Sequence, residues 1–134
     1  MNDLIKDLVR DEGLRLKPYT CPGGKLTIGV GRNIQERGIS ESEALYLLKN
    51  DIDISKKELS LKFEWFCELN ENRKRSLINM HFNLGMTRLL SFKKFLKAMG
   101  EGNFEEASKE ALDSKWAKQV GDRAKRISEL IRKG

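Results

Sequence analysis

One segment near the N-terminus, residues 13–33, limits the possible folds more than any other part of the chain. It holds five of the eleven glycines and both prolines, which break helices and favour turns. Within it, apolar residues alternate with small or polar ones over Leu26-Thr27-Ile28-Gly29-Val30-Gly31, a period typical of a strand. Because the turn signal Pro22-Gly23-Gly24 comes just before, the segment is predicted to form a small β-hairpin.

Helical periodicity lies on both sides of this segment. Over residues 2–12 the apolar residues fall on one stripe, and Gly13 follows as a stop signal. After Gly38 the helical period returns and continues to the C-terminus. Further helix boundaries are predicted at capping residues: a start at Ser40 with Glu43, starts at Asn70, Ser91, Asn103 and Asp122, and an end at Gly85. This layout indicates an α+β chain that is mostly α.

Length and charge narrow the class of protein. The 134 residues suffice for one domain whose core needs no disulfide. One histidine and two cysteines argue against a zinc site, and we expect no metal and no cofactor. The net charge of +6 favours an anionic partner, whether nucleic acid, a membrane surface or a cell-wall polymer. No apolar run is long enough to span a membrane, and the first residues do not form a secretory signal, so we expect cytosolic synthesis.

Glu12 and Thr27 are the first candidate site residues. Glu12 closes the first predicted helix near its apolar stripe, and a carboxyl partly withdrawn from water can stay protonated and act as a general acid. Thr27 shares a strand face with Gly29 and Gly31, which indicates that another group approaches the backbone closely there. The alternatives are a solvated glutamate at a helix end and a threonine on an exposed strand. For Cys21, which precedes the turn, the alternative interpretation is a small buried hydrophobic residue.

The spacing of these residues is specific: Glu12, eight residues, Cys21, five residues, Thr27. This pattern resembles the catalytic motif of the phage-type lysozyme (endolysin) family, which has Asp or Cys at the second position. The chain is similar to the T-even members in the Glu/Cys/Thr form. The likeness continues in order along nearly the whole chain, at residues 12–17, 26–31, 78–85, 92, 104–107, 114–116 and 123–126. The weakest part is 33–38, where this chain is shorter than the long members.

The resemblance implies both a fold and an activity. The expected fold is a single lysozyme-like domain over 1–134, with a small β lobe at about 13–38, a bridging helix at about 40–60, and a helical lobe made of 1–12 and 61–134. A glycan-binding cleft would lie between the lobes. The expected activity is hydrolysis of the β-1,4 bond between N-acetylmuramic acid and N-acetylglucosamine in peptidoglycan, which would lyse a bacterial host cell.

The resemblance also assigns catalytic roles. Glu12 would be the general acid, Cys21 would hold the second catalytic position, and Thr27 would help to position a water molecule. A thiol is mostly protonated at neutral pH unless its pKa is lowered, so Cys21 would be a poorer base than a carboxylate. As a thiolate it could instead attack the sugar as a nucleophile, which would give retention rather than inversion. The stereochemical course stays open.

Supporting and substrate-binding positions follow from the same resemblance. Arg123 would approach Glu12 and orient it, and Arg32 would pair with Asp51 on the following helix. Asn33, Phe82 and Asn83 would line the sugar site, because an aromatic face beside amide groups suits a sugar ring and its acetamido group. For Phe82, a place in the apolar core is the favoured alternative.

Partners and location complete the expectations. Peptidoglycan is the expected partner, with no nucleic acid and no stable membrane insertion, and the protein is expected to be a monomer. It would stay in the host cytoplasm until a separate holin-type pore released it to the wall. Two other functions stay open: a catalytically impaired lysozyme homologue that binds peptidoglycan, and a basic helical module that binds nucleic acid. Oxidation of Cys21 is expected to inhibit the enzyme.

Overall fold

The computed structural model describes residues 2–134. Its elements are α1 Asn2–Glu12, β1 Arg15–Thr20, β2 Leu26–Gly29, β3 Arg32–Asn33, α2 Ile34–Arg37, α3 Glu41–Lys62, a 3₁₀ helix Glu64–Glu68, α4 Glu71–Leu90, α5 Lys93–Gly100, α6 Phe104–Leu112, α7 Lys115–Val120 and α8 Asp122–Lys133. Residues 2–134 form one antiparallel sheet near the N-terminus and eight α-helices. The predicted α+β class, mostly α, is confirmed.

The chain divides into two compact units, and the boundary falls inside α3. The first unit ends at Leu48 and the second begins at Lys49. Helix α1 falls in the first unit with the sheet, whereas the resemblance groups residues 1–12 with the helical lobe. Only Gly13 and Leu14 separate α1 from β1, which keeps the end of this helix beside the sheet. The division of the chain into lobes stays a prediction.

The sheet of the first unit has the order β1-β2-β3. The predicted hairpin is present, and its turn is closed by the Gly24 N–H, which donates to the Cys21 carbonyl at 2.8 Å. Strand β3 has only two residues, too short for any alternation to reveal it. It pairs with β2 through Thr27 opposite Asn33 and Ile28 opposite Arg32, which makes β2 the central strand.

Thr27 of β2 is buried, so the alternative interpretation of Thr27 as a residue on an exposed strand is wrong. The side chain of Thr27 is only 3% exposed, whereas Leu26 on the other face is 42% exposed. Thr27 is flanked by Tyr19 of β1 and Asn33 of β3. Its hydroxyl can be buried because it donates to the Lys25 carbonyl at 2.9 Å. The predicted alternation of the strand is therefore present, but the buried face of β2 is the one that carries Thr27 and not the one that carries Leu26.

Helix α3 begins with the predicted capping box. The Glu43 N–H donates to Ser40 Oγ at 3.2 Å, and the Ser40 N–H donates to Glu43 Oε1 at 2.9 Å. These reciprocal bonds satisfy two backbone donors that have no partner within the helix. The helix then continues to Lys62, close to the predicted end of the bridging helix.

The second unit contains the apolar core. Its buried side chains come from the end of α3 and from every later helix: Leu59, Phe63, Phe66, Leu69, Leu77, Met80, Leu84, Leu89, Phe95, Ala98, Met99, Ala107, Ala111, Trp116, Ala124, Ile127 and Ile131. Asn70 and Asn103 cap α4 and α6 as predicted, because each side chain accepts a backbone N–H of the first turn. The helical conformation of α4 is broken at Gly85, where φ is +75°, as the glycine stop signal predicts.

The predicted start at Ser91 is wrong by one residue. Helix α5 begins at Lys93 with Phe92 at its cap position, and Ser91 belongs to the end of α4. There its hydroxyl donates to the Arg88 carbonyl at 2.6 Å. A serine hydroxyl can accept a backbone N–H at the start of a helix or donate to a carbonyl at the end of one. The sequence alone therefore did not decide whether Ser91 begins α5 or ends α4. Within residues 2–134, the structure has no helix of the length and hydropathy needed to cross a membrane.

Candidate active site

Glu12 is the last residue of α1, and its carboxyl group lies against the turn between β2 and β3. A Cβ atom built on Gly31 would come within 2.9 Å of Glu12 Oε2 and 3.4 Å of Glu12 Cβ. Gly31 also has a φ of +65°, which glycine adopts without strain. The group predicted to approach the glycine-rich face is therefore Glu12 itself. It approaches Gly31 and not Gly29, whose Cβ position has no neighbour within 4 Å.

The exposure of Glu12 corrects one expectation. The side chain is exposed, so it is not partly withdrawn from water as its place beside the apolar stripe suggested. The helix ends here because the Gly13 N–H bonds the Val9 carbonyl at 2.9 Å and Gly13 then turns the chain with a φ of +80°. A carboxylate at this point is free to meet a substrate.

Cys21 lies at the hairpin turn, half-buried and with a free thiol. Its pKa is lowered from the ordinary value of 9.0, mainly because the backbone N–H of Lys25 donates to the sulfur. The Thr27 hydroxyl is the next cause, and partial burial of the thiol acts in the opposite direction. The turn therefore favours the thiolate, which weakens the objection that a thiol is too protonated to act.

Thr27 lies beside Cys21, as the spacing predicted, but it is buried. Its hydroxyl hydrogen has two competing acceptors, the Lys25 carbonyl at 2.9 Å and the Cys21 sulfur. When that hydrogen is donated to either of them, only the oxygen lone pairs remain to hold a water. The hydrogen bond of Thr27 to the Lys25 carbonyl holds the end of the hairpin turn, and the same hydroxyl helps to lower the pKa of Cys21.

Asn33 pairs with Thr27 in the sheet, and its side chain caps α2. Its Oδ1 accepts the Glu36 N–H at 3.1 Å, and its Nδ2 donates to Glu36 Oε2 at 3.3 Å. Both polar atoms of the amide are therefore engaged in holding the loop. Substrate binding by Asn33 stays a prediction.

Arg32 pairs with Glu43 inside the first unit, and its predicted pairing with Asp51, a residue of the second unit, stays a prediction. Arg32 Nη1 donates to Glu43 Oε1 at 2.8 Å and to the Gly38 carbonyl at 3.3 Å. Glu43 is in the first turn of α3, whereas Asp51 lies about 12 Å further along the helix at 1.5 Å per residue. The pKa of Glu43 is lowered to about 2, first by the Ser40 backbone N–H and then by Arg32.

The remaining predicted residues lie in the second unit. Phe82 is 45% exposed, so the interpretation of Phe82 as a core residue is wrong. Asn83 Oδ1 accepts the indole N–H of Trp116 at 2.7 Å. Arg123 Nε donates to Asn79 Oδ1 at 2.9 Å. Because Arg123 and Glu12 belong to different units, their pairing stays a prediction.

A basic cavity lies beside Trp116. Its volume is about 560 Å³. Four cationic side chains and two carboxylates line it together with three aromatic rings: Arg88, Lys93, Lys94, Lys115, Glu110, Asp113, Phe92, Phe95 and Trp116. This chemistry suits an anionic group attached to an apolar or sugar-like body. The sequence predicted a net positive charge, but it did not predict that four basic side chains meet at one cavity.

His81, the single histidine of the sequence, has two polar partners. It is buried, and its ring nitrogens contact Ser55 and Glu58 of α3. A polar residue on an apolar helix face needs such partners, and this requirement was the signal available in the sequence. Within residues 2–134, no group of three or more His, Cys, Asp and Glu side chains is placed to hold a metal ion.

Comparison with known proteins identifies the family of this chain. Residues 9–133 match the family model described as phage lysozyme. The chain belongs to the phage lysozyme family. It is therefore a glycoside hydrolase with the lysozyme-like α+β fold.

Several curated relatives accompany this family match. "Probable T4-type lysozyme 1" of Dictyostelium discoideum is 29% identical, covering 97% of this chain and 94% of the relative. The endolysin of Acyrthosiphon pisum secondary endosymbiont phage 1 is 33% identical over 81% of this chain and 73% of its own length. The pre-baseplate central spike protein Gp5 of Enterobacteria phage T4 is 30% identical over 95% of this chain, which spans only 27% of that protein.

Proposed function

We propose that this phage lysozyme hydrolyses the β-1,4 bond between N-acetylmuramic acid and N-acetylglucosamine, with Glu12 as its general acid. The observation that carries the proposal is the contact of the Glu12 carboxyl group with Gly31, in the turn that follows the strand carrying Thr27. Glycosidases need a proton donor for the leaving oxygen and an anionic group for the oxocarbenium-like state. Glu12 supplies the first group, and the Cys21 thiolate, favoured by the turn, supplies the second.

The chemistry balances in two ways. In both, Glu12 in its acid form gives its proton to the glycosidic oxygen as the bond to the sugar carbon breaks. In the first, Cys21 as thiolate takes a proton from water, and the resulting hydroxide bonds the sugar carbon with inversion. In the second, the sulfur itself bonds that carbon. Water then gives a proton to the Glu12 carboxylate and bonds the same carbon as the thiolate leaves, with overall retention. The lowered pKa of Cys21 supports both courses.

The substrate and biological role are part of the proposal. Peptidoglycan carries anionic groups, and the net charge of +6 and the basic cavity beside Trp116 favour an anionic polymer. One relative is named an endolysin, which supports a role in host-cell lysis. The proposal includes that the protein acts as a monomer and that a separate holin-type pore releases it from the host cytoplasm. The name of the Gp5 relative, a baseplate spike protein, is the reason to test this role directly.

The decisive experiment compares the wild type with Glu12→Gln on bacterial cells stripped of their outer membrane. The wild type should clear the suspension and release sugars with reducing N-acetylmuramic acid ends, and Glu12→Gln should lose at least about a hundredfold of the rate. Glu41→Gln, which changes an exposed glutamate of α3, is the matched control and should keep full activity.

Other outcomes lead to different functions. Anhydro ends on the released sugars would show a lytic transglycosylase, in which an internal hydroxyl replaces water. Binding of the glycan without clearing would identify an impaired homologue that only binds peptidoglycan. Equal clearing by Glu12→Gln and wild type would refute the role of Glu12.

A further inference from the structure

The only histidine of the chain is held between two residues of α3. His81 lies on α4 with its side chain 8% exposed. Ser55 Oγ is 2.6 Å from His81 Nδ1, and Glu58 Oε2 is 3.2 Å from His81 Nε2. All three residues belong to the second unit, so the contact is internal to that unit.

The partners decide which ring nitrogen carries the hydrogen. A carboxylate only accepts hydrogen bonds, so the Glu58 contact requires a hydrogen on His81 Nε2. In the neutral ring, Nδ1 is then an acceptor for the Ser55 hydroxyl. Ser55 satisfies Nδ1 of this buried side chain, and the Glu58 carboxylate faces Nε2 at 3.2 Å. Loss of Ser55 would leave a buried polar atom without a bond.

The same turn of α4 is tied on its other side. Asn79 and Asn83 are four residues apart and therefore share one face of the helix, whereas His81 points away from that face. Asn79 Oδ1 accepts from Arg123 at 2.9 Å, and Asn83 Oδ1 accepts from Trp116 Nε1 at 2.7 Å. One helical turn is thus bonded to α3, α7 and α8.

We propose that His81 is a positioning residue that fixes the rotation of this turn and thereby the presentation of Phe82 and Asn83 to substrate. The inference rests on the proposed function and on the expectation from the sequence that these two residues line the sugar site. The apolar neighbours Leu77 and Met80 are fully buried, but apolar contact is non-directional. Hydrogen bonds are directional, so the two bonds of His81 set the helix rotation in a way that the core alone does not.

The indole N–H of Trp116 gives a direct readout, because it donates to Asn83. The chain has two tryptophans, so an ¹⁵N-labelled sample should show two indole cross-peaks in its NMR spectrum. In His81→Val, the Trp116 peak should shift by at least several line widths, because Asn83 rotates away from it. The Trp65 peak should move much less, since Trp65 lies in the 3₁₀ helix.

Two further variants separate positioning from stability. Ser76→Ala is the matched control: Ser76 is a buried serine of the same helix, and its hydroxyl donates at 2.9 Å to the Asn72 carbonyl within that helix. It should leave the Trp116 peak in place. Glu58→Gln retains an oxygen that can accept a hydrogen bond from His81 Nε2, so the Trp116 peak should keep its wild-type position. If His81→Val does not fold, Ser55→Ala removes one of the two bonds and should shift the same peak.

Kinetics then link the rotation to substrate. His81→Val should raise KM by about threefold to tenfold with kcat within about twofold, since the change affects binding residues and not the acid. An unmoved Trp116 peak in a folded His81 or Ser55 variant would overturn the inference, as would an equal shift in Ser76→Ala. If the wild type cleaves no glycan, the proposed function fails, while the indole peak still tests the positioning.

Discussion

The contact between Glu12 and Gly31 makes Gly31→Ala the sharpest test of the candidate site. The new Cβ would lie 2.9 Å from Glu12 Oε2, so the carboxylate must move by several tenths of an ångström to reach ordinary contact. The carboxylate is the far end of a flexible side chain, so this movement costs little energy. It nevertheless changes the position of the proposed acid, and a displacement near 1 Å can cost about a hundredfold in rate.

The same substitution strains the backbone. Gly31 has a φ of +65°, and a residue with a Cβ pays about 1–2 kcal/mol for that conformation. For a chain of this length, we expect the melting temperature to fall by roughly 3–8 °C. Clearing of stripped cells, measured well below the melting temperature, should fall by about tenfold to a hundredfold.

Gly29→Ala is the matched control because it separates the strain from the contact. Gly29 lies in the same sheet with a φ of +72°, and its Cβ position has no neighbour within 4 Å. It should lose a similar amount of stability and keep most of its activity. Equal losses of activity in the two variants, or an unchanged rate in a folded Gly31→Ala, would refute the argument that this contact positions the acid.

Two further predictions concern ionised groups. Because the pKa of Cys21 is lowered, iodoacetamide should alkylate it at a pH below the usual thiol range and stop clearing, whereas Cys67→Ser should clear normally. Full activity of the enzyme alkylated at Cys21 would exclude a chemical role for this thiol. Glu43 has a folded pKa of about 2 against an ordinary 4.5, so its stabilisation is present above pH 4.5 and is lost as the pH falls towards 2. The stability difference between wild type and Glu43→Gln in urea should therefore shrink between pH 5 and pH 3, and a constant difference would contradict this assignment.

The parts of the fold that depend on neighbours in sequence were predictable. Capping by Ser40, Asn70 and Asn103 is a bond to a backbone N–H three residues away, so the residue type and spacing contain the information. The hairpin turn is equally local. The prediction that Ser91 caps α5 was wrong because its hydroxyl donates to a carbonyl of the preceding helix, and this alternative is equally local in sequence.

The parts that depend on distant neighbours were not predictable from the pattern alone. Thr27 is buried because a two-residue strand pairs with it, and such a strand has no detectable period. Arg32 pairs with Glu43 because the loop between them is short, a distance that the resemblance did not supply. For Gly31 the sequence indicated a close approach, and only the folded chain identified the approaching group as Glu12.

The environment of Cys21 gives a physical reason for the interchange of Asp and Cys in the pattern that the chain resembles. The backbone N–H groups of Lys25 and Gly23 and the hydroxyl of Thr27 all favour the ionised sulfur. Two of these donors belong to the backbone of the turn, so they remain when the side chain at position 21 changes. A carboxylate is already ionised at neutral pH, whereas a thiol needs donors of this kind to become so. The turn therefore lowers the pKa of the group at position 21 through its backbone, which makes residues 22–25 a part of the proposed site along with the cysteine.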